Sequence, residues 1–312
     1  MKLLITGIAG FIGSSIALEA VRNNEISSIM GIDDFSTGNT QNIDKIKTRI
    51  KFHKTSILEL EKLRERFKDI DYVLHQAAIP SVPRSIKDPI GTSRVNVIGT
   101  LNVLIAARDA GVKRVILASS SSVYGDTPNL PKHENMQPCP LSPYAVSKLT
   151  NEIHARQFYE LYGLETICLR YFNVFGPNQD PKSEYAAVIP KFINRILNNE
   201  KPTICGDGTQ SRDFTYAKDA VNANLLAIKA PKTACGKAFN IAGGKQITIN
   251  DLAKTLNKLM DKKIEPVYDK PRAGDIKHSY ANISLAKEFL DYMPKYGFEE
   301  GLKETIDYFK KG

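Results

Sequence analysis

The chain opens MKLLITGIAGFIGSSIALEA, with Gly7, Gly10 and Gly13 three residues apart directly after a short apolar run. Residues 2–6 read as a buried strand, and residues 12–23 as a helix with Ile12, Ile16, Ala20 and Val21 near one face. The glycines therefore sit where a strand becomes a helix. There they allow a tight turn, a close approach of ligand to backbone, and close packing of helix on sheet. The first N–H groups of the new helix point outward and favour an anion such as a pyrophosphate. Alone, this spacing would describe any strand–turn–helix built from small residues. A second element narrows it. IMGIDDFSTGN reads as a strand over 28–32 that ends in Asp33, twenty residues beyond Gly13. A carboxylate there accepts hydrogen bonds from the adenosine ribose of a dinucleotide. No arginine follows it to pair with a 2′-phosphate, and the next residue is Asp34. The pattern favours NAD over NADP.

Strand candidates at 2–6, 28–32, 50–53, 71–75, 113–119 and 165–170 alternate with helical patterns at 12–23, 39–47, 59–67, 93–110 and 145–162. Such alternation predicts an α/β fold, a Rossmann-like doubly wound parallel sheet that binds its ligand at the carboxyl ends of the strands. After about residue 172 the pattern loosens into a smaller mixed α/β portion. Its helices read at 188–200 and 217–230, and its strands lie around GDGTQSRDFTY. A chain of 312 residues accommodates both.

Composition excludes several other classes. Hydrophobic residues at 42% and charged residues at 25% suit a soluble globular protein. No apolar stretch approaches the about 20 residues of a membrane span, and no leader precedes the first strand, so we expect a cytoplasmic protein with no membrane partner. Cys139, Cys168, Cys205 and Cys235 are scattered, with no CxxC pair and no neighbouring histidine. They read as unpaired thiols, and no metal is expected. The formal net charge is +9, but the lysines are dispersed and alternate with acids, as in ELEKLRERFKD. That is a solvated helix face rather than a nucleic-acid surface.

The chemistry concentrates in LSPYAVSKLTNEI. Ser142 suits an N-cap and Pro143 the first helical turn, so Tyr144 and Lys148 share one helix face. An ammonium beside a phenol favours the phenolate and is expected to lower its pKa from about 10, making Tyr144 a general base or acid. The same spacing is common on solvated helices. Just upstream, RVILASSSSVYGD reads as a strand ending in a serine cluster. A hydroxyl there can hydrogen-bond a substrate oxygen or can simply form a turn.

TGIAGFIGS, DYVLHQAA, NVIGTLNVL, SSSSVYGD, SPYAVSK, LRYFNVFGP, GDGTQSRDFTY and PRAGDIKHSYANIS follow one another along nearly the whole chain. This series resembles the NAD-dependent epimerase/dehydratase family of extended short-chain dehydrogenases/reductases. Within it, EYAAVIPKF followed by GDGTQSRDF is most similar to UDP-N-acetylglucosamine and UDP-glucose 4-epimerases. The resemblance implies an isomerase with tightly bound NAD that acts on a UDP-sugar, and a homodimer joined through 93–110 and 145–162. It implies an NAD-binding domain over 1–172, to which the chain returns at about 213–243, and a nucleotide-sugar domain over most of 173–312.

The roles it implies fall on named residues. Ser120, with Ser121 as competitor, Tyr144 and Lys148 match the catalytic groups. Gly7, Gly10, Phe11, Ile12, Gly13, Asp33, Ser36, Gly38, Asn39, Ala77 and Ala78 match NAD contacts. Asn173, Arg212 and Arg272 match the groups that hold the diphosphate, Val188 and Lys191 line the nucleotide pocket, and Asp275 stands near the uridine ribose. Ser279 stands seven residues after Arg272, where a small side chain leaves room for a 2-acetamido group, so both the N-acetylated and the plain UDP-hexoses are expected as substrates. Two departures matter. HKTSIL carries Ser56 where many relatives place an aspartate on the adenine amine, and Ser121 and Ser122 replace the Asp-Glu pair of the dehydratases. The second disfavours water elimination. Arg84 in SVPRS keeps a glucuronate 4-epimerase or decarboxylase in view. A net oxidoreductase with exchangeable NAD(H) and a binding protein without turnover are the other readings.

Overall fold

The apolar run at the start becomes a strand whose last four residues are all buried. In the computed structural model, which describes residues 1–180, 187–271 and 276–311, it is an interior strand of a seven-stranded sheet. The sheet strands are β1 (Lys2–Thr6), β2 (Ser28–Asp33), β3 (Lys51–Lys54), β4 (Tyr72–His75), β5 (Arg114–Ser120), β6 (Glu165–Tyr171) and a late strand, Lys237–Ile241. The order is the late strand, β6, β5, β4, β1, β2, β3, and every pair is parallel. The order reverses between β1 and β4, so the carboxyl ends of these two strands flank a crevice open to a ligand.

Helices cover both faces. One carries α1 (Phe11–Ala20); the other carries α2 (Leu60–Arg66), α3 (Val82–Lys87), α4 (Pro89–Ser93), α5 (Gly99–Asp109) and α6 (Pro143–Tyr162). Ser142 caps α6 by accepting from the Ala145 N–H at 3.2 Å, and Gly163 closes the helix in the left-handed region.

Three expectations are corrected here. The helical pattern over 39–47 forms two 3₁₀ turns, Thr40–Asn42 and Asp44–Arg49. Asn39 N–H and Asn42 Nδ2 both donate to Ala9 O, and the Asn39 side chain accepts from Gln41 N–H, so side-chain bonds displace the regular helix. The helix over 93–110 is interrupted by a π turn, Arg94–Ile98. The wider turn turns Asn96 inward, where it accepts from Ile79 N–H and donates to Ile79 O and Ser147 Oγ. The π turn also joins α4 to α5, so Pro89–Asp109 is one helical run of 21 residues, apolar and long enough on those criteria to cross a membrane. The expectation that no segment approaches that length does not hold. This run packs on α2 and α6, and 44% of its most apolar window is buried.

Beyond β6 come β7 (Val174–Phe175), α7 (Val188–Leu197), β8 (Thr203–Cys205), β9 (Ser211–Asp213), β10 (Thr215–Tyr216) and α8 (Ala217–Lys229). α8 returns to pack on α1, and the late sheet strand follows it as β11. The chain then forms β12 (Gln246–Thr248), α9 (Ile249–Met260), β13 (Val267–Asp269), α10 (Ser284–Leu290) and α11 (Phe298–Lys311). Three strand pairs, β7 with β10, β9 with β12 and β8 with β13, tie these segments together. α7, α9 and α11 enclose a separate core around Phe192, Ile193, Leu252, Leu256 and Leu302.

Candidate active site

The glycine turn after β1 is held open by contacts that no side chain could share. Gly7 has φ 70°, and a Cβ on it would stand 2.7 Å from Ala77 N. A Cβ on Gly13 would stand 2.1 Å from Gly7 O. Gly10 is the N-cap of α1 and supplies no side-chain cap, so the first-turn N–H groups of Phe11, Ile12 and Gly13 are left for an outside acceptor. Ala77 and Ala78 follow β4 across the crevice, where Ala77 N–H donates to Thr6 Oγ1 at 3.3 Å.

Asp33 ends β2 and is buried. It accepts from Ala9 N–H at 2.9 Å and Phe35 N–H at 2.8 Å, and burial raises its pKa. Two acceptor positions of its carboxylate are thereby used, and about two remain for hydroxyl donors. Gly38 packs against this group, since a Cβ there would stand 3.0 Å from Asp33 Oδ1. Ser36 N–H donates to Asp34 Oδ1 at 2.9 Å. Burial would raise the pKa of Asp34, but the Ser36 and Ser56 hydroxyls with the Ser36 N–H pull it down. Ser56 thus bears on a carboxylate that stands next to Asp33 in the chain.

At the carboxyl end of β5, three consecutive residues meet one face of α6. Ala118 O accepts from Lys148 Nζ at 2.8 Å, Ser119 Oγ donates to Glu152, and the Ser120 hydroxyl acts on the Tyr144 phenol, favouring its charged form. Ser120 Oγ also accepts from the Ser122 hydroxyl at 3.0 Å. Of the two competing serines, it is Ser120 that bears on the titration of Tyr144. The ammonium of Lys148 stands 5.9 Å from the centre of the Tyr144 ring.

Their titration differs from the expectation. Burial raises the Tyr144 pKa, and the Ser120 hydroxyl only partly offsets it. Burial also lowers the pKa of Lys148 to about 8. The sequence shows the pairing of the two groups but not their desolvation, and desolvation disfavours the charged form of each. A phenolate here calls for further positive charge.

A second group of residues lines a cavity of about 750 Å³ between β7, α7, β8 and β9. Asn173, Val188, Lys191 and Arg212 all stand on its wall. Asn173 lies in the left-handed region, φ 37°, and one of its amide hydrogens goes to Asp213 O at 3.1 Å. Arg212 Nη1 donates to Ser211 O at 2.9 Å. Ser279 is buried beside this strand, its N–H donating to Ser211 O at 3.0 Å, and it is not part of the cavity wall. Arg272 and Asp275 lie outside the described residues. Lys270 and Arg195 also line the cavity, although nothing in their local sequence distinguishes them from the dispersed lysines and arginines. Among the described residues there is no cluster that could hold a metal ion, and no two cysteines are joined.

With this geometry in place, the comparisons with known proteins are decisive for the family. A model of the NAD dependent epimerase/dehydratase family matches residues 3–242. The chain belongs to that family. NAD is its cofactor, and the glycine turn, the uncapped start of α1 and the remaining acceptor positions on Asp33 fit it. Among solved structures, the chain is similar to a UDP-glucose 4-epimerase from Thermotoga maritima solved with UDP-glucose, with 37% identity, a TM-score of 0.94, and 100% and 99% of the two chains covered. It is similar also to a UDP-N-acetylglucosamine 4-epimerase from Methanobrevibacter ruminantium in complex with UDP-N-acetylmuramic acid, with 40% identity, a TM-score of 0.94, and 99% and 98% covered. A UDP-glucuronic acid 4-epimerase from Bacillus cereus, bound to UDP-glucuronic acid and NAD, shares 34% identity with a TM-score of 0.92, and 100% and 99% of the chains are covered. The family thus includes 4-epimerases of plain, N-acetylated and carboxylated UDP-hexoses, and this chain is an enzyme of that kind.

Proposed function

We propose that this enzyme inverts C4 of UDP-N-acetylglucosamine and UDP-N-acetylgalactosamine, and of UDP-glucose and UDP-galactose, reversibly and through a transient 4-keto sugar. The observation that carries the reading is the contact of Ser120 with Tyr144 beside Lys148, at the open end of β5. When bound, NAD supplies the acceptor and then the donor of the C4 hydride. Tyr144, as phenolate, takes the proton of the sugar's 4-hydroxyl and later returns it. Ser120 holds the O4 oxygen, and Lys148 favours the phenolate by its charge. Arg212 and Asn173 hold the diphosphate at the edge of the cavity while the keto sugar turns to present its other face. A guanidinium suits that task because its fork of donors matches phosphate oxygens.

Three further parts belong to the same reading. Residues 1–172 with 213–243 form the NAD-binding domain, and most of 173–312 forms the nucleotide-sugar domain. Ser279 leaves space at C2 of the sugar, which permits the acetamido group. Ile90, Ile98, Val146, Ile153 and Leu161 are exposed on the α4–α5 run and α6, and a second copy of this chain covers them in a homodimer.

The test is nuclear magnetic resonance of the anomeric protons, using purified enzyme without added NAD and separate samples of UDP-N-acetylglucosamine, UDP-glucose and UDP-glucuronate. The proposal expects conversion of the first two. Conversion of UDP-glucose alone removes the Ser279 argument. Conversion of UDP-glucuronate alone replaces the substrate with the carboxylated sugar, and Arg84 becomes the residue to examine.

A further inference from the structure

β9 and residues 277–282 run side by side as a short parallel ladder, with Ser211 opposite His278. Ser211 N–H donates to Lys277 O and Ser279 N–H donates to Ser211 O, both at 3.0 Å. The next rung of such a ladder would take Ala281 N–H to the backbone carbonyl of Asp213. Ala281 N–H goes instead to the Asp213 side chain, to Oδ2 at 3.2 Å. The backbone carbonyl of Asp213 accepts from Asn173 Nδ2 at 3.1 Å. A carboxylate has taken the place of a carbonyl in the ladder, and that carbonyl holds a residue of the cavity wall.

The rest of the geometry follows the same plan. Asp213 is fully buried, and its Oδ1 accepts from Gly244 N–H at 3.0 Å, in the turn between β11 and β12. That turn approaches closely because residue 243 is a glycine, whose Cβ would stand 2.4 Å from Phe214 O. One side chain thus joins β9, the glycine turn and residues 277–282. N–H donors from two segments call for a group with two acceptor oxygens and no donor, which an ionised carboxylate supplies. Burial raises its pKa to about 6, and the N–H groups of Ala281 and of the 243–245 turn favour its charged form. Asn173 is pinned from a second side, since its carbonyl accepts from Thr215 N–H at 3.3 Å. Arg212 precedes Asp213 on β9, and its Nη1 donates to two carbonyls of the same ladder, Ser211 O at 2.9 Å and Lys277 O at 3.3 Å.

We propose that Asp213 is a positioning residue for the diphosphate: its carboxylate takes the Ala281 N–H in place of its own carbonyl, and so leaves that carbonyl to aim Asn173 beside Arg212. This rests on the reading above in which Asn173 and Arg212 hold the diphosphate of a UDP-sugar. One hydrogen of the Asn173 amide is spent on Asp213 O, and the second can donate to a phosphate oxygen. With asparagine at 213, one acceptor becomes a donor. Either Gly244 or Ala281 then loses its partner, and Ala281 N–H competes with Asn173 for the Asp213 carbonyl.

The test is calorimetric binding of UDP and of UMP at pH 8, where Asp213 is ionised. It compares the NAD-bound wild type with Asp213→Asn, Asn173→Ala and the double variant. Asp213→Asn should bind UDP about 10-fold or more weakly, the worth of one hydrogen bond to a charged group. UMP lacks the second phosphate, and its affinity should change by less than about 3-fold, with bound NAD unchanged. Equal losses for UDP and UMP would mark a merely structural residue and overturn the proposal. Unchanged UDP binding overturns it as well. In the Asn173→Ala background, Asp213→Asn should cost less than about 3-fold for UDP, because the residue it aims is gone. A full additive loss there overturns the proposal. Should Asp213→Asn not fold, the ligand-free wild type carries the test. Its Asn173 side-chain amide, assigned by nuclear magnetic resonance with Asn173→Ala, should exchange with solvent about 10-fold or more slowly than an exposed asparagine amide. Exchange at the exposed rate overturns the proposal. A wild type that binds neither UDP nor UMP removes the UDP-sugar reading and this proposal with it, whereas binding without the Asp213 effect removes the proposal alone.

Discussion

His75 shows how one buried side chain carries a pH dependence. Its Nδ1 stands 2.7 Å from Thr6 Oγ1 and its Nε2 stands 2.8 Å from Thr100 Oγ1, and the residue is 4% exposed. Desolvation, with the charge of Lys148, lowers its pKa from 6.5 to about 3. Between those values the unfolded chain binds a proton that the folded chain does not. Stability from this group is therefore complete above about pH 7 and declines as pH falls from 6.5 toward 3, by an amount of order 5 kcal/mol across the full range. His75→Gln keeps hydrogen-bonding groups and removes the titration. Melting temperature followed from pH 7.5 to 4.5 should fall less in this variant than in the wild type. Parallel curves would show that other groups set the acid limit. The partner of His75 is a residue of the first strand, Thr6, whose hydroxyl also takes the Ala77 N–H in the cofactor crevice. Destabilisation at low pH would then begin beside the cofactor.

At the scale of elements, the cofactor turn depends on how close α1 approaches β1. The Cβ contact at Gly13 is with backbone, Gly7 O at 2.1 Å, so no side-chain rotation relieves it. Gly13→Ala must move the start of α1 away from the turn, and the N–H groups of Phe11 and Ile12 move with it. Purified Gly13→Ala should carry less than one tenth of the wild-type content of NAD, read from absorbance after denaturation, while circular dichroism remains α/β. Full NAD content would show that α1 can shift without cost. This turn was legible in the sequence because glycine spacing reports backbone contact directly. So were the parallel strands, whose apolar runs match their burial, and the pairing of Tyr144 with Lys148 on one face. The 3₁₀ turns at Thr40–Asn42 and Asp44–Arg49 were not legible, because what selects them is a bond from Asn42 to Ala9, 33 residues back. The π turn was hidden for the same reason: Asn96 reads as a helix residue until its partners Ile79 and Ser147 are known. Glu152 continues the four-residue spacing of Tyr144 and Lys148, but its partners Ser119 and Arg170 come together only in the fold.

The whole molecule adds what no single segment contains. β8 meets β13, β9 meets β12, and β7 meets β10, each pair joining short segments with little apolar periodicity of their own. The cavity near Arg212 exists only once these pairs form, which is why its full wall could not be read from the motif GDGTQSRDFTY. The proposed homodimer belongs to the same scale. Leu161 is 70% exposed and Ile153 is 51% exposed on α6, and Ile90 is 81% exposed on the helical run beside it. On the homodimer proposed above, this apolar face is where the second copy docks. If a second copy covers it, a carboxylate placed there must lose its water against the partner's apolar face, which costs several kcal/mol per site. A twofold contact counts that cost twice. Ile153→Asp with Leu161→Asp should therefore shift the mass found by sedimentation from the dimer to 34.7 kDa. Both residues point away from the site, so the Ser120–Tyr144–Lys148 cluster remains in each separated copy, and any loss of turnover on separation would measure how far the partner holds α6 in place. A wild type that already sediments at the monomer mass would instead leave the exposed face to a different protein partner.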